Sequence, residues 1–311
     1  MKVLVTGGSG YIGTSLVPAL LKRDYEVTVL DNLMYDQNVF LECYINKNFS
    51  FIYGDIRDQS TIKKLASKSD VVIHLASIVG APACKKNETL AKEVNVDGTK
   101  NIIDHLSNNQ ILLFASTGSV YGKIEGMCNE DWDPNPLSLY GSTKLEGERM
   151  SLGLNNSVAF RFATAYGLSP RLRLDLLPND FVLNAIRNRY LVVYDKKFRR
   201  TFIHVTDIVR SYLHMLDNID SVKGNAFNIG SEMNNYTKED LVNKIKEHVD
   251  FQVYYADEGI PDPDQRDYEV SYQKLAKTGY QVKINIDQGI EELVNGFRNL
   301  KIRSDFANIS F

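Results

Sequence analysis

Across 311 residues the composition is 43% hydrophobic and 24% charged, the balance of a soluble globular protein with room for a large core and one or two domains. A net charge of −3 with mixed signs excludes the basic field of a nucleic-acid binder, so nucleic acid is not an expected partner. Cys43, Cys84 and Cys128 are odd in number and lack ligand spacing, and the five histidines form no HExxH pattern, so neither a disulfide framework nor a metal site is expected.

The opening MKVLVTGG enters a strand pattern at once, without the apolar stretch and cleavage site of a signal peptide. No segment approaches the ~18 apolar residues of a bilayer span; a cytoplasmic protein with no membrane partner is expected. In chain order, KVLVTG (2–7) reads as a strand and YIGTSLVPALLKRD (11–24) as a helix. EVTVLD (26–31) and FSFIYGD (49–55) are strands, DQSTIKKLASKS is a helix and DVVIHLAS (70–77) a further strand. A helix over 93–109 leads to the buried strand QILLFAST (110–117). A Gly/Asp/Asn/Pro-rich loop (122–138) precedes a second helical pattern from Leu139 and the strand VAFRFAT (158–164). The second half is less regular. It holds a helix over 236–249 with a capping box, Thr237 to Asp240, and a late amphipathic helix over 286–300. Nearly all-apolar strands separated by amphipathic helices predict an α/β fold with a doubly wound parallel sheet of the Rossmann type.

Two patterns carry chemistry. TGGSGYIG (6–13) lies between a strand and a helix, the context that gives a glycine fingerprint its meaning. Gly7 permits the tight turn, Gly10 lets the backbone approach a pyrophosphate, and Gly13 allows close helix–strand packing. The amides of Tyr11, Ile12 and the helix start hold the phosphate charge. Asp31, 18 residues past Gly13 and followed by Asn32, has the spacing of a ribose-binding carboxylate. A carboxylate accepts from a free 2′-hydroxyl and repels a 2′-phosphate, which favours NAD over NADP; a solvent-exposed strand-end Asp is the plainer alternative. In YGSTK, Tyr140 and Lys144 share one helix face. An ammonium beside the phenol lowers its pKa from the usual ~10, so that a tyrosinate can take the proton of a substrate hydroxyl as hydride leaves the same carbon. An ordinary surface helix also explains such a pair.

With these motifs in order, the chain resembles the extended short-chain dehydrogenase/reductases, specifically the NAD-dependent nucleotide-sugar epimerases and dehydratases. The resemblance covers nearly the whole length through the turn at 6–13, GDIRD (54–58), HLAS (74–77), NVDGT (95–99), STGSVYG (116–122), YGSTK (140–144) and RRTFIHVTDIV (199–209). It implies a NAD-binding Rossmann domain over 1–165, to which residues about 200–230 return, and a smaller, interleaved α/β region over 166–311 that binds the nucleotide sugar. Asp55 and Ile56 would flank the adenine. Leu75, Ala76 and Ser77 would lie along the cofactor, with Asn95 beside it or serving as a structural cap. Thr117 matches the catalytic hydroxyl, and Lys144 would also hold the nicotinamide ribose. Thr164 stands where an asparagine is usual. Arg171, Arg173, Asn179, Arg200 and Arg266 are candidate substrate contacts, the arginines because guanidinium suits paired phosphate oxygens.

The family's 4,6-dehydratases carry an Asp-Glu pair directly after the catalytic threonine; Gly118 and Ser119 stand there instead and transfer no proton, which disfavours dehydration. DNLMYDQ, GAPACKKN, SPRLRLDLLPNDF and DPDQRDY are similar to a bacterial subgroup that acts on nucleotide-linked heptoses for surface polysaccharides. The resemblance therefore implies NAD-dependent oxidation at C4 of a GDP-heptose, with a nucleotide-sugar 4-epimerase as the alternative and a non-catalytic dinucleotide binder as a third. It also implies a homodimer paired through the helix after Asn95 and the helix of Tyr140.

Overall fold

The structure, a computed structural model, describes residues 1–36, 39–124, 126–256, 267 and 269–302. Its centre is a seven-stranded sheet in the spatial order Asn225–Ile229, Ser157–Phe162, Ile111–Thr117, Val71–His74, Lys2–Thr6, Glu26–Asp31, Phe49–Tyr53. Every pairing in it is parallel. The chain runs outward from Lys2–Thr6 in one direction and then in the other, so a crevice opens where the order reverses, at the carboxyl ends of Lys2–Thr6 and Val71–His74.

The apolar runs fold this way because both sheet faces are covered. Val3, Val5, Val71 and Ile73 point into one core, packed against Leu16, Val17 and Leu20 of the helix Gly13–Leu21 and Ile208 and Tyr212 of the helix Val205–Asp217. The alternate residues Leu4, Val72 and Leu112 point into the opposite core with Ile62, Val94 and Ile102. His74, buried between strands and helix, is held neutral by that burial, its pKa pushed down to about 3. Its ring bonds Thr6 Oγ1 at 2.7 Å and Thr99 Oγ1 at 2.9 Å.

A second core forms around Phe181, Val182, Leu241, Ile245, Ile290 and Leu293, from the helices Leu177–Arg187, Lys238–Lys246 and Ile286–Asn299. It carries a three-stranded sheet (Asn235–Thr237, Arg199–His204, Thr164–Tyr166) and the parallel pair Tyr190–Tyr194 with Gln252–Ala256. The chain re-enters the first core at Ile203 to Ile229 and again at Val270 to Tyr280. The Thr237–Asp240 capping box is present, and Asn285 with Gln288 forms another.

One expectation changes. The helix predicted over 93–109 belongs to a longer broken array: Ala81–Lys86 and Glu88–Lys92 precede it, Glu93–Asp97 is π-helical, and Gly98–Asp104 completes it. Gly98 permits that path, since a Cβ there would stand 2.5 Å from Ile56 Cδ1.

Candidate active site

One cavity of about 590 Å³ occupies the crevice, a volume typical of small-molecule sites. Its cofactor end is shaped by missing side chains. Gly7 has φ +69°, and a Cβ on it would lie 2.5 Å from the backbone of Ala76, so the turn presses directly on the HLAS segment. A Cβ on Gly13 would come within 2.2 Å of Gly8 O, so this glycine lets the helix start close on the turn that follows the strand Lys2–Thr6. The helix Gly13–Leu21 has no side-chain cap and no acidic residue in its first turn, so the positive end of its dipole meets no side-chain charge there, while Thr14 N already donates to Gly10 O at 3.1 Å.

Asp31 ends its strand with both carboxylate oxygens oriented, accepting from Ser9 N at 2.9 Å and Leu33 N at 2.8 Å. Burial raises its pKa, and those two hydrogen bonds pull it back. Asn32 donates to Asp55 at 3.1 Å, and Arg57 forks onto the same carboxylate at 2.9 and 3.0 Å, holding Asp55 below the usual carboxylate range. Gly10, Tyr11, Ile12, Ile56, Leu75, Ala76 and Ser77 complete this wall. A glycine-built cradle at an uncapped helix start, with a fixed carboxylate beyond it, fits a dinucleotide.

At the other end stand Thr117, Tyr140 and Lys144. The helix Leu139–Leu152 is N-capped by Ser138, whose Oγ accepts from Gly141 N at 3.2 Å. It lies very close to the strand Ile111–Thr117: a Cβ on Gly141 would sit 2.7 Å from Ser119 O, and one on Gly147 2.7 Å from Phe114 Cζ. That closeness brings the Tyr140 face against the strand end. Lys144 is 3% exposed, with Nζ 4.3 Å from the centre of the Phe114 ring. Burial pushes its pKa down to about 7, against the opposing charge of Glu148. Thr117 Oγ1 accepts from Ser119 N at 3.2 Å and donates to Ser119 Oγ at 3.3 Å.

Behind this face lies a buried network that the sequence reading missed. Ser116 Oγ donates to Glu148 at 2.5 Å, Arg161 forks onto Glu148 at 2.6 to 3.1 Å and donates to Tyr121 OH at 3.0 Å, and Tyr121 donates to Asn228 at 2.7 Å. It ties the strand end at Thr117 to the helix Leu139–Leu152. The signal was an arginine in the otherwise apolar VAFRF, because a charge inside a buried strand requires a partner.

Of the residues expected to meet the substrate, Thr164, Arg171, Arg173 and Arg200 line the cavity, joined by Tyr35, Asp175 and Lys238, which the sequence did not single out. Arg173 is buried and forks onto Asp175 at 2.5 and 2.8 Å. Arg200 donates to Arg199 O at 3.1 Å. Two candidates take other roles. Asn179 is fully buried outside the lining, accepting from Gly167 N at 3.0 Å and donating to Arg173 O at 2.9 Å and Gly167 O at 3.3 Å; it builds the turn and does not face a sugar. Asn95 lies behind the wall, accepting from Ser77 Oγ and Ile78 N at 2.8 Å and donating to Thr143 Oγ1 at 3.1 Å, so it fastens the wall to the helix Leu139–Leu152. Arg266 lies outside the described residues. His204 and Asp207 act locally: His204 caps the helix Val205–Asp217 and bonds Glu292 at 2.7 Å, while Asp207 accepts from Ile284 N at 2.9 Å.

Residues 3–230 match the model of the NAD dependent epimerase/dehydratase family. The chain belongs to that family. It is an enzyme, and NAD is its cofactor. It is 29% identical to a UDP-N-acetyl-alpha-D-glucosaminuronate decarboxylase of Bacillus cytotoxicus, over 96% of this chain and 98% of that one. To the CDP-paratose 2-epimerase of Salmonella typhi it is 25% identical, over 94% and 98%. A UDP-glucuronic acid 4-epimerase from Bacillus cereus, solved with UDP-glucuronic acid and NAD, superposes with a TM-score of 0.86 at 26% identity, covering 97% of this chain and 100% of that one. Among the described residues no helix is long and apolar enough to cross a membrane.

Proposed function

We propose that this enzyme oxidises C4 of a nucleotide-linked sugar to the ketone, with a GDP-linked heptose as the favoured substrate. Bound NAD supplies the hydride acceptor. Gly7, Gly10 and the helix start would hold its diphosphate, Asp31 its adenosine ribose, and Lys144 its second ribose. Tyr140, as phenolate beside Lys144, takes the C4 hydroxyl proton while the carbon loses hydride, and Thr117 holds the reacting oxygen. The observation that carries this reading is the step Thr117–Gly118–Ser119 facing Tyr140 and Lys144 without an acid. Among the described residues the cavity's carboxylates are Asp31, Asp55 and Asp175, and each is already engaged, by backbone amides, Arg57 or Arg173. Elimination of water after oxidation lacks the Asp-Glu pair that the 4,6-dehydratases resembling this chain carry at positions 118 and 119.

Turnover on GDP-heptose, UDP-glucose and UDP-glucuronic acid, followed by NMR and NADH absorbance, tests this reading. A 4-ketone formed with stoichiometric NADH is expected. Loss of water or carbon dioxide overturns it. A C4 epimer without NADH establishes the second reading, 4-epimerisation, favoured by the fold likeness to a 4-epimerase. We also infer a homodimer through the helices Gly98–Asp104 and Leu139–Leu152. The outer faces of these helices expose Lys100, Asp104, Glu146 and Arg149, so association should weaken with salt in light scattering.

A further inference from the structure

Arg171 is expected from sequence to meet the sugar diphosphate, but its surroundings are those of the cofactor. The segment that carries it is pinned to the first turn of the helix Gly13–Leu21. Tyr11 OH donates to Gly167 O at 2.8 Å, and Ser169 Oγ donates to Tyr11 O at 2.6 Å and pairs with Thr14 Oγ1 at 2.8 Å. Arg171 N itself donates to Thr14 Oγ1 at 3.4 Å. Its backbone is thus anchored beside the turn shaped for a diphosphate.

The side chain then crosses to the other lip of the cavity. It is 1% exposed, and its guanidinium carbon stands 4.0 Å from the centre of the Tyr35 ring, four residues past the ribose carboxylate Asp31. Arg173 turns away to Asp175, and both Tyr35 and Tyr140 are near enough to act on it, so it stands between the two ends. Asp31 and Tyr35 act on Arg171, which puts this one toward the adenosine end. Burial and then the charge of Arg173 lower the pKa of Arg171 to about 10, so an anion received here gains from a cation held in low dielectric.

We propose that Arg171, stacked on Tyr35, is a cofactor-retention residue: the pair closes the cavity over the ribose–diphosphate part of NAD and slows its exchange. The consequence rests on the C4 reading. If hydride is taken from the sugar, a cofactor that leaves slowly keeps that hydride in the site, and the pair governs whether turnover needs exchange with free NAD.

The test measures the cofactor alone. NADH bound to the protein is chased with excess NAD and its release followed by fluorescence, without sugar, for the wild type, Arg171→Leu, Tyr35→Leu and the double variant. Each single variant should release NADH about tenfold faster, the scale of one buried cation–π contact (~1.4 kcal/mol). The double variant should be no faster than the faster single, and Arg171→Lys should fall between. Tyr35 is half-buried on a loop, so its variant tests the pair even where Arg171→Leu fails to fold. Unchanged release in the Tyr35 variant overturns the proposal. So does unchanged release in Arg171→Leu with a tenfold higher KM for the nucleotide sugar, which would return Arg171 to the substrate. Because no sugar enters the release assay, failure of the C4 reading leaves this result intact.

Discussion

The two ends of the cavity are built from different materials. The cofactor end is backbone: Gly7, Gly10 and Gly13, an uncapped helix start, and one carboxylate fixed by two amides. The end proposed for the sugar is side chain: Arg173 and Arg200 on long stems, carried by a turn and by the central strand of the three-stranded sheet. A backbone cradle changes little unless its glycines change, whereas long side chains can be exchanged without disturbing the sheet. The difference accords with the names that relatives of similar length bear, those of UDP- and CDP-sugar enzymes, of epimerases and of a decarboxylase.

The strongest way to break this division is Tyr140→Phe. Removing the oxygen proposed to take the proton should lower kcat about 10³-fold, within the range for general base catalysis. NAD should stay bound, because nothing in the glycine cradle depends on that oxygen. Calorimetric titration with NAD checks this, and loss of cofactor along with activity would show that the two ends are not separable.

The same division governs what was legible in the sequence. Spacing encodes backbone geometry, so the glycine turn, Asp31 and the Tyr140–Lys144 pair could be read directly. Residue type alone does not say whether a polar side chain faces a ligand or its own chain. Asn179 and Asn95 are amides that satisfy backbone groups, and Arg171 meets Tyr35, 136 positions away, a contact no local pattern contains. Glu148 and Arg161 were readable in principle, since a buried strand does not hold a lone charge. The helices of 81–92 were hidden by Pro82 and the polar run Lys85–Asn87, although Pro suits a first helical turn and Asn87 caps the second helix through Leu90 N.

A smaller effect should separate the catalytic end from the scaffold. Lys144 has a folded pKa of about 7 against 10.5 for the free side chain. Between those values the unfolded chain binds the extra proton, so the stability of NAD-free protein should be lowest below pH 7 and rise as the pH climbs toward 10.5. Lys144→Met should remove that slope. It should raise the melting temperature most at pH 6 to 7, by a gain on the order of a few kcal/mol, while abolishing turnover. Thermal scans across pH decide this. An unchanged slope in the variant would mean that the cost of burying Lys144 is met elsewhere.

The mildest change probes the sugar end through its support. Asn179→Asp keeps an acceptor for Gly167 N but loses both donated hydrogen bonds, to Gly167 O and Arg173 O. It also places a carboxylate in a fully buried position. Asn179→Ala loses all three bonds and strips Gly167 N and Arg173 O of this partner, while Gly167 O keeps Tyr11 OH; the cost is about 1–3 kcal/mol for a buried group and so a fall of a few degrees in melting temperature. Because Arg173 shares that turn, KM for the nucleotide sugar should rise severalfold in both variants while NAD affinity stays within twofold. A residue that touched the sugar directly would raise KM without cost to stability. The pairing of a lower melting temperature with a higher KM is therefore the mark of a residue that shapes the turn, and a KM effect alone would restore Asn179 to the binding surface.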